Sequence, residues 1–150
     1  MNTIVIARAA TEDVPAVLPL LAVQLGEHGM GLPPDELEAA VRGIVTKPER
    51  GRVLLARSGD RVVGVAVVPY TWTVEHGGRC AWLDELYVAP AMRARGIGTR
   101  LLAAAMEAAR EDGCLAMDLE VDVDHARVEA LYLRHGFRAL PRRRFSRRLG

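Results

Sequence analysis

The chain has 150 residues, half of them apolar and 26% charged, with a formal net charge of +1. That length fits one domain able to bury a core without staples, and the balanced charge excludes a global field drawing the protein to nucleic acid or a membrane surface. No apolar run approaches the roughly 20 residues of a membrane span, and "MNTIVIARAATED" lacks a basic region followed by a long apolar stretch, so a cytoplasmic protein is expected.

In chain order, "TIVIARAA" reads as a strand. "TEDVPAVLPLLAVQLGEHG" reads as a helix with Thr11 at its N-cap. Val14, Val17, Leu18, Leu21 and Leu25 share one face, and Pro19 should kink or break it. "PDELEAAVRGI" is a second helix, burying Leu37, Ala40, Val41 and Ile44. "RVLLARS" and "RVVGVAVVPYTW", split by Ser58-Gly59-Asp60, form a hairpin. "EHGGR" turns the chain into the strand "CAWLDELYV".

Leu101, Leu102, Ala105, Met106 and Ala109 then mark a third helix, closed by Gly113. "LAMDLEV" alternates as a half-exposed strand, "ARVEALYLRHG" is a short helix closed by Gly136, and "FRALPRRRFSRRL" reads as a final pair of short strands. The order gives a mixed α/β or α+β chain. With no repeat or linker in it, residues 1–150 are expected to form a single domain.

Cys80 and Cys114 have neither metal-ligand nor disulfide spacing and are expected to be reduced core or near-core thiols. His28, His76, His125 and His135 show no close zinc spacing, so no metal is expected. "DLEVDVDH" alternates acidic residues but has Val123 where a calcium loop needs glycine, which argues for strand. "RRRFSRR" reads as a solvated terminus rather than a nucleic-acid patch.

The informative stretch is "DELYVAPAMRARGIGTRLLAAAMEAAR", in which Gly96 and Gly98 stand where a strand pattern becomes a helix pattern. A P-loop would carry Lys-Ser or Lys-Thr after the second glycine; here stand Thr99 and Arg100. A dinucleotide fingerprint would carry a third Gly or Ala where Leu101 stands, although Asp118 lies at the acidic position. The third reading is Arg93-x-x-Gly96-x-Gly98. The N–H groups of a helix's first turn have no internal partners, and with the helix dipole they form an anion site. Glycines would let a pyrophosphate approach it, and Arg93 and Arg95 would add charge.

This stretch resembles motif A of the GNAT superfamily, the Gcn5-related N-acetyltransferases. "ARVEALYLRHGFRAL" is similar to its motif B, with Tyr132 ahead of Gly136-Phe137. The resemblance covers nearly the whole chain. It implies a central, mostly antiparallel, twisted sheet of six to seven strands with about four helices, splayed to form a slot for acetyl-CoA. It further implies that Arg93, Arg95, Gly96, Ile97, Gly98 and Thr99 bind the cofactor's pyrophosphate, and that Leu86, Tyr87 and Val88 pair with its pantetheine arm. A backbone N–H near Val88 would polarise the acetyl carbonyl.

By the same resemblance, Tyr132 is the general acid toward the leaving thiolate, and Glu85 or Asp84, on opposite strand faces, is the base toward the amine; Glu85 is favoured. His125 stands where many members carry an asparagine that contacts the cofactor. "PYTWTVEHGGRCAWLDELYVAP" also resembles the spermidine/spermine acetyltransferase branch. Glu75, Asp84 and Glu85, with Asp35, Glu36 and Glu38, would suit a small cationic amine, and protein amines stay open. A homodimer is compatible with the family. Two alternatives stand beside this reading: a non-catalytic coenzyme A-binding sensor of the same fold, and a nucleotide-binding oxidoreductase.

Overall fold

β1, Ile4–Arg8, starts a sheet that continues through the hairpin of β2, Gly51–Ser58, and β3, Arg61–Thr73. The structure is a computed structural model that describes residues 2–123 and 125–150. It divides into two compact units, Met1–Leu119 and Glu120–Gly150.

In the first unit β3 also pairs antiparallel with two shorter strands, β4, Gly78–Trp82, and β5, Glu85–Val88. β6, Ala116–Asp118, runs parallel to β4. The result is an open six-stranded sheet in the order β1-β2-β3-β4-β6, with β5 on β3. This is the mixed, mostly antiparallel sheet that the sequence predicts.

Two helices, α1, Val14–Glu27, and α2, Pro34–Val45, cover one face. Val14, Val17 and Leu21 of α1 and Leu37 and Val41 of α2 form a buried cluster with Val53, Leu55, Val65, Val67 and Tyr87. The alternate residues of β3 face α3, Ile97–Glu111, where a Cβ at Gly64 would lie 2.9 Å from Leu101 Cδ1. This division follows from the two-residue period of a strand.

Three local expectations are corrected. Thr11 does not cap α1: Thr11–Asp13 form a 3-10 turn, and the Asp13 carboxylate accepts the Ala10 N–H at 2.8 Å. α1 does not break at Pro19, because burying Val17 and Leu21 on either side outweighs one missing backbone bond. Ala40 is exposed, leaving Leu37 and Val41 as the buried residues of α2.

The strand expected over "CAWLDELYV" is interrupted. Ala81 faces Tyr70 and Glu85 faces Val67, so four steps on this strand span three on β3. The extra residue is a β-bulge at Leu83–Asp84, and the Val67 carbonyl accepts the Asp84 N–H at 2.9 Å. The bulge exchanges the faces. Ala81, paired with Tyr70, lies on the α3 side, whereas Tyr87, paired with Val65, lies on the α1/α2 side.

β6 stops at Asp118, short of the strand expected to run on from Leu115. Its ladder matches Cys80–Trp82 and closes with the Leu83 N–H on the Asp118 carbonyl at 2.9 Å. Past that point the bulge ends the ladder. An Asp112-centred cluster ties the C-terminal end of α3 to the sheet. Asp112 accepts two hydrogen bonds from Arg52 and one from Tyr70, and its carbonyl accepts one from Arg79.

In the second unit, α4, Ala126–Arg134, is followed by Gly136 at φ +87°. Tyr132 packs edge-to-face on Phe137 with ring centroids 5.7 Å apart, and Arg144 pairs with Glu120. The final pair of strands is absent among the described residues: Leu140, Phe145 and Leu149 are exposed, so the tail lacks the buried alternation that fixes a strand.

Candidate functional site

The bulge and the end of β6 leave the outer edge of β5 unpaired by any described strand. Ala89 N–H donates to Val63 O at 2.8 Å. Counting back by twos, Tyr87 and Glu85 bond to β3, while the backbone groups of Leu86 and Val88 turn outward. Both outward carbonyls already have donors within the protein. Gln24 Nε2 reaches Leu86 O at 3.1 Å, and Arg93 Nε reaches Val88 O at 2.9 Å. The outward N–H groups of Leu86 and Val88 therefore lie on an edge that the β6 ladder does not reach, where an extended amide-bearing ligand could add as a strand.

This edge leads into the glycine loop. A 3-10 turn, Pro90–Met92, reverses the chain; Ala94 takes φ +61° and Gly96 takes φ +78° before α3 begins at Ile97. The N-cap is glycine with no side-chain cap bond, so no side chain there satisfies the first-turn N–H groups. Gly98 is not required by packing, since a Cβ there would meet only Val88 Cγ2, at an ordinary 3.8 Å. Gly96, Arg95 and Thr99 are exposed, and Ile97 is buried as the anchor of the helix. Arg93 is turned back over the Tyr87 ring, 5.1 Å from its centroid.

Glu85 is half-buried and, by alternation, lies on Tyr87's face; Asp84, in the bulge, is exposed. Because the bulge flips the strand, Cys80 and Trp82 share that face with Glu85 and Tyr87. Tyr87 belongs to the buried cluster under α1 and α2, so only its backbone lies at this edge. Tyr132 is buried in the second unit, and burial pushes its phenol up to about 12. His125 is exposed at the N-terminus of α4 and makes no side-chain cap bond; Asp124, the alternative cap, lies outside the described residues.

Two features escaped the sequence reading. Gln24 is 9% exposed, the one charged or polar residue in the buried set of described residues, and its Oε1 has no partner there; neither has the Tyr87 hydroxyl. The only sequence signal was a glutamine on the apolar face of α1. The second is a cluster of His76, Cys80 and Asp118, whose donor atoms lie within 4.8 Å of one another. Histidines taken alone show no zinc spacing, but His76 and Cys80 together read H-x-x-x-C. Cys80 and Cys114 are both free thiols, as expected.

The model of the Acetyltransferase (GNAT) family matches residues 17–137, most of the chain and parts of both units. The chain belongs to the GNAT acetyltransferase family.

Among its GNAT relatives, an aminoalkylphosphonate N-acetyltransferase of Salmonella typhimurium is 33% identical over 85 residues, 57% of this chain and 54% of that protein. The chain thus spans about half the length of that relative. An uncharacterised N-acetyltransferase, YhfO, of Bacillus subtilis is 25% identical over 132 residues, 88% of each chain. The solved structure of the aminoglycoside N-acetyltransferase AAC(6')-Iy in complex with CoA superposes with a TM-score of 0.85 at 19% identity, covering 99% of this chain and 96% of that one. That likeness speaks for the fold, which is the GNAT fold. No helix among the described residues is long and apolar enough to cross a membrane.

Proposed function

We propose that this GNAT chain transfers an acetyl group from acetyl-CoA to a primary amine by direct attack in a ternary complex, both units serving one acetyltransferase domain. The observation that carries the proposal is the outward edge of β5 leading into a glycine-capped α3 N-terminus. An amide-rich pantetheine arm matches the former, and a pyrophosphate matches the latter. The relatives named as N-acetyltransferases and the CoA-bound neighbour support the same donor.

In this proposal the pyrophosphate sits over Gly96 to Thr99, with Arg95 adding charge. Arg93 acts indirectly, by holding the Val88 carbonyl. The thioester carbonyl accepts from the outward N–H of Leu86 or Val88, and that donor stabilises the oxyanion as the amine attacks. Glu85, on the α1/α2 side of the sheet, takes the proton of the incoming ammonium, directly or through water; Asp84 is the alternative base.

Tyr132 supplies the hydrogen bond to the departing thiolate. A phenol held near 12 stays protonated at neutral pH and is always available as a donor. Gln24, buried in α1, holds the Leu86 carbonyl through its Nε2 and so fixes the orientation of that peptide at the edge. The acceptor we favour is a small cationic amine, drawn by Glu75, Asp84, Glu85 and the acidic start of α2, Asp35, Glu36 and Glu38.

The test is a thiol-release assay with acetyl-CoA and a panel of amines that includes polyamines, aminoalkylphosphonates and aminoglycosides. Amine-dependent release matched by acetylated product supports the proposal. Coenzyme A binding with no amine-stimulated release would replace it with the sensor reading.

A further inference from the structure

Outside the β5 edge, one group of side chains combines three kinds of metal donor. His76 lies in the turn between β3 and β4, Cys80 in the middle of β4, and Asp118 at the end of β6. His76 Nε2 is 2.9 Å from Asp118 Oδ2, and Cys80 Sγ is 3.8 Å from the same oxygen. Bond lengths of about 2.0 Å to nitrogen and oxygen and about 2.3 Å to sulfur, in a tetrahedron, put donors about 3.3 Å apart for N···O and about 3.5 Å apart for S···O. Both observed separations are within about half an ångström of these values, and the third side, from His76 to Cys80, lies within 4.8 Å, so rotation of the side chains closes the triangle.

All three donors are held by backbone structure. Cys80 is paired on one side with Thr71 and on the other with Ala116, and it is 1% exposed. Asp118 pairs with Trp82, and its carbonyl accepts the Leu83 N–H. The His76 N–H donates to Thr73 Oγ1 at 3.3 Å. The site is therefore pre-organised, which is what a rigid metal site requires.

We propose that His76, Cys80 and Asp118 form a zinc(II) site that clamps the β3–β4 turn to the β4–β6 junction, where the β6 ladder ends. A mixed sulfur, imidazole and carboxylate set selects a borderline-soft ion such as zinc over magnesium or calcium. Three protein ligands leave a fourth position, and the side chains of His76 and Asp118 are 25% and 37% exposed, so water can fill it. On binding, the Cys80 thiol gives its proton to solvent, and the histidine binds as neutral imidazole.

The test uses the tag-free, chelator-treated full chain, titrated with cobalt(II) and then zinc(II). We expect a thiolate-to-cobalt charge-transfer band that saturates at one equivalent per chain and is bleached by zinc. Zinc should also raise the melting temperature. C114S should keep the band, C80S should lose it while retaining the wild-type circular dichroism spectrum, and D118N should bind at least tenfold more weakly. No band in the wild-type protein at saturating cobalt would overturn the proposal. So would a band lost in C114S but kept in C80S, which would assign the thiolate to Cys114.

Discussion

Gly98 is a residue at which packing and ligand binding make opposite demands. Its backbone is helical and a Cβ would meet only Val88 Cγ2 at 3.8 Å, so the fold has room for alanine. Alanine in a helical position is favoured over glycine by about 0.5–1 kcal/mol. A pyrophosphate on the same amides would meet that methyl. G98A is therefore predicted to hold or raise thermal stability while weakening coenzyme A binding about tenfold or more by calorimetry, the worth of roughly one charge-assisted hydrogen bond. Unchanged affinity would return Gly98 to being part of a turn. Tyr132→Phe is predicted to cut turnover about a hundredfold with little change in coenzyme A affinity, and Glu85→Gln to lower kcat/KM for the amine more than Asp84→Asn does. Gln24→Leu removes the donor that holds the Leu86 carbonyl, and a roughly tenfold fall in kcat/KM is expected with the circular dichroism spectrum unchanged. The glycine loop was legible in the sequence because the change from strand to helix pattern is local, and Tyr132 was proposed only through the resemblance to motif B. Gln24 and the pairing of His76 with Asp118 were not legible, because each depends on which strand edge another element meets.

At the scale of elements, the decisive feature is the bulge at Leu83–Asp84, which ends the β6 ladder and turns Cys80, Trp82, Glu85 and Tyr87 to one face. Nothing in "CAWLDELYV" announces it, since an extra residue is visible only against the register of β3. Apolar stripes did locate α1, α2 and α3, as with Val14, Val17 and Leu21 or Leu101, Leu102 and Ala105. They failed for the arginine-rich tail, where alternation existed without a sheet to bury it. The C-terminal end of α3 carries its own prediction. Two Arg52 hydrogen bonds, with Tyr70's beside them, hold the Asp112 carboxyl down at about 2, against desolvation that opposes them. A depressed folded-state value means stability that is fully present above the ordinary carboxylate range and lost as pH falls from about 4 through 2. Asp112→Asn should cost about 1–3 kcal/mol at neutral pH and flatten that acid limb in denaturant titrations. An acid limb as steep as the wild type's would remove Asp112 as its source.

For the whole molecule, the GNAT motifs and the order of elements made the fold legible from sequence. Its acceptor was not legible, because a fold positions chemistry without naming a substrate. The family match spans residues 17–137, so the glycine loop and Tyr132, which lie in different units, belong to one family unit of sequence. The central claim is that the β5 edge and the α3 N-terminus form a site for acetyl-CoA. The most direct measurement is the melting temperature of the full chain with acetyl-CoA, coenzyme A, NADH and ATP in turn. A ligand at about a thousand times its Kd adds roughly 4 kcal/mol, a rise of about 10 °C for a chain of this size. Stabilisation by acetyl-CoA and coenzyme A alone is the predicted result; stabilisation by NADH or ATP alone, or by none of the four, would contradict the account.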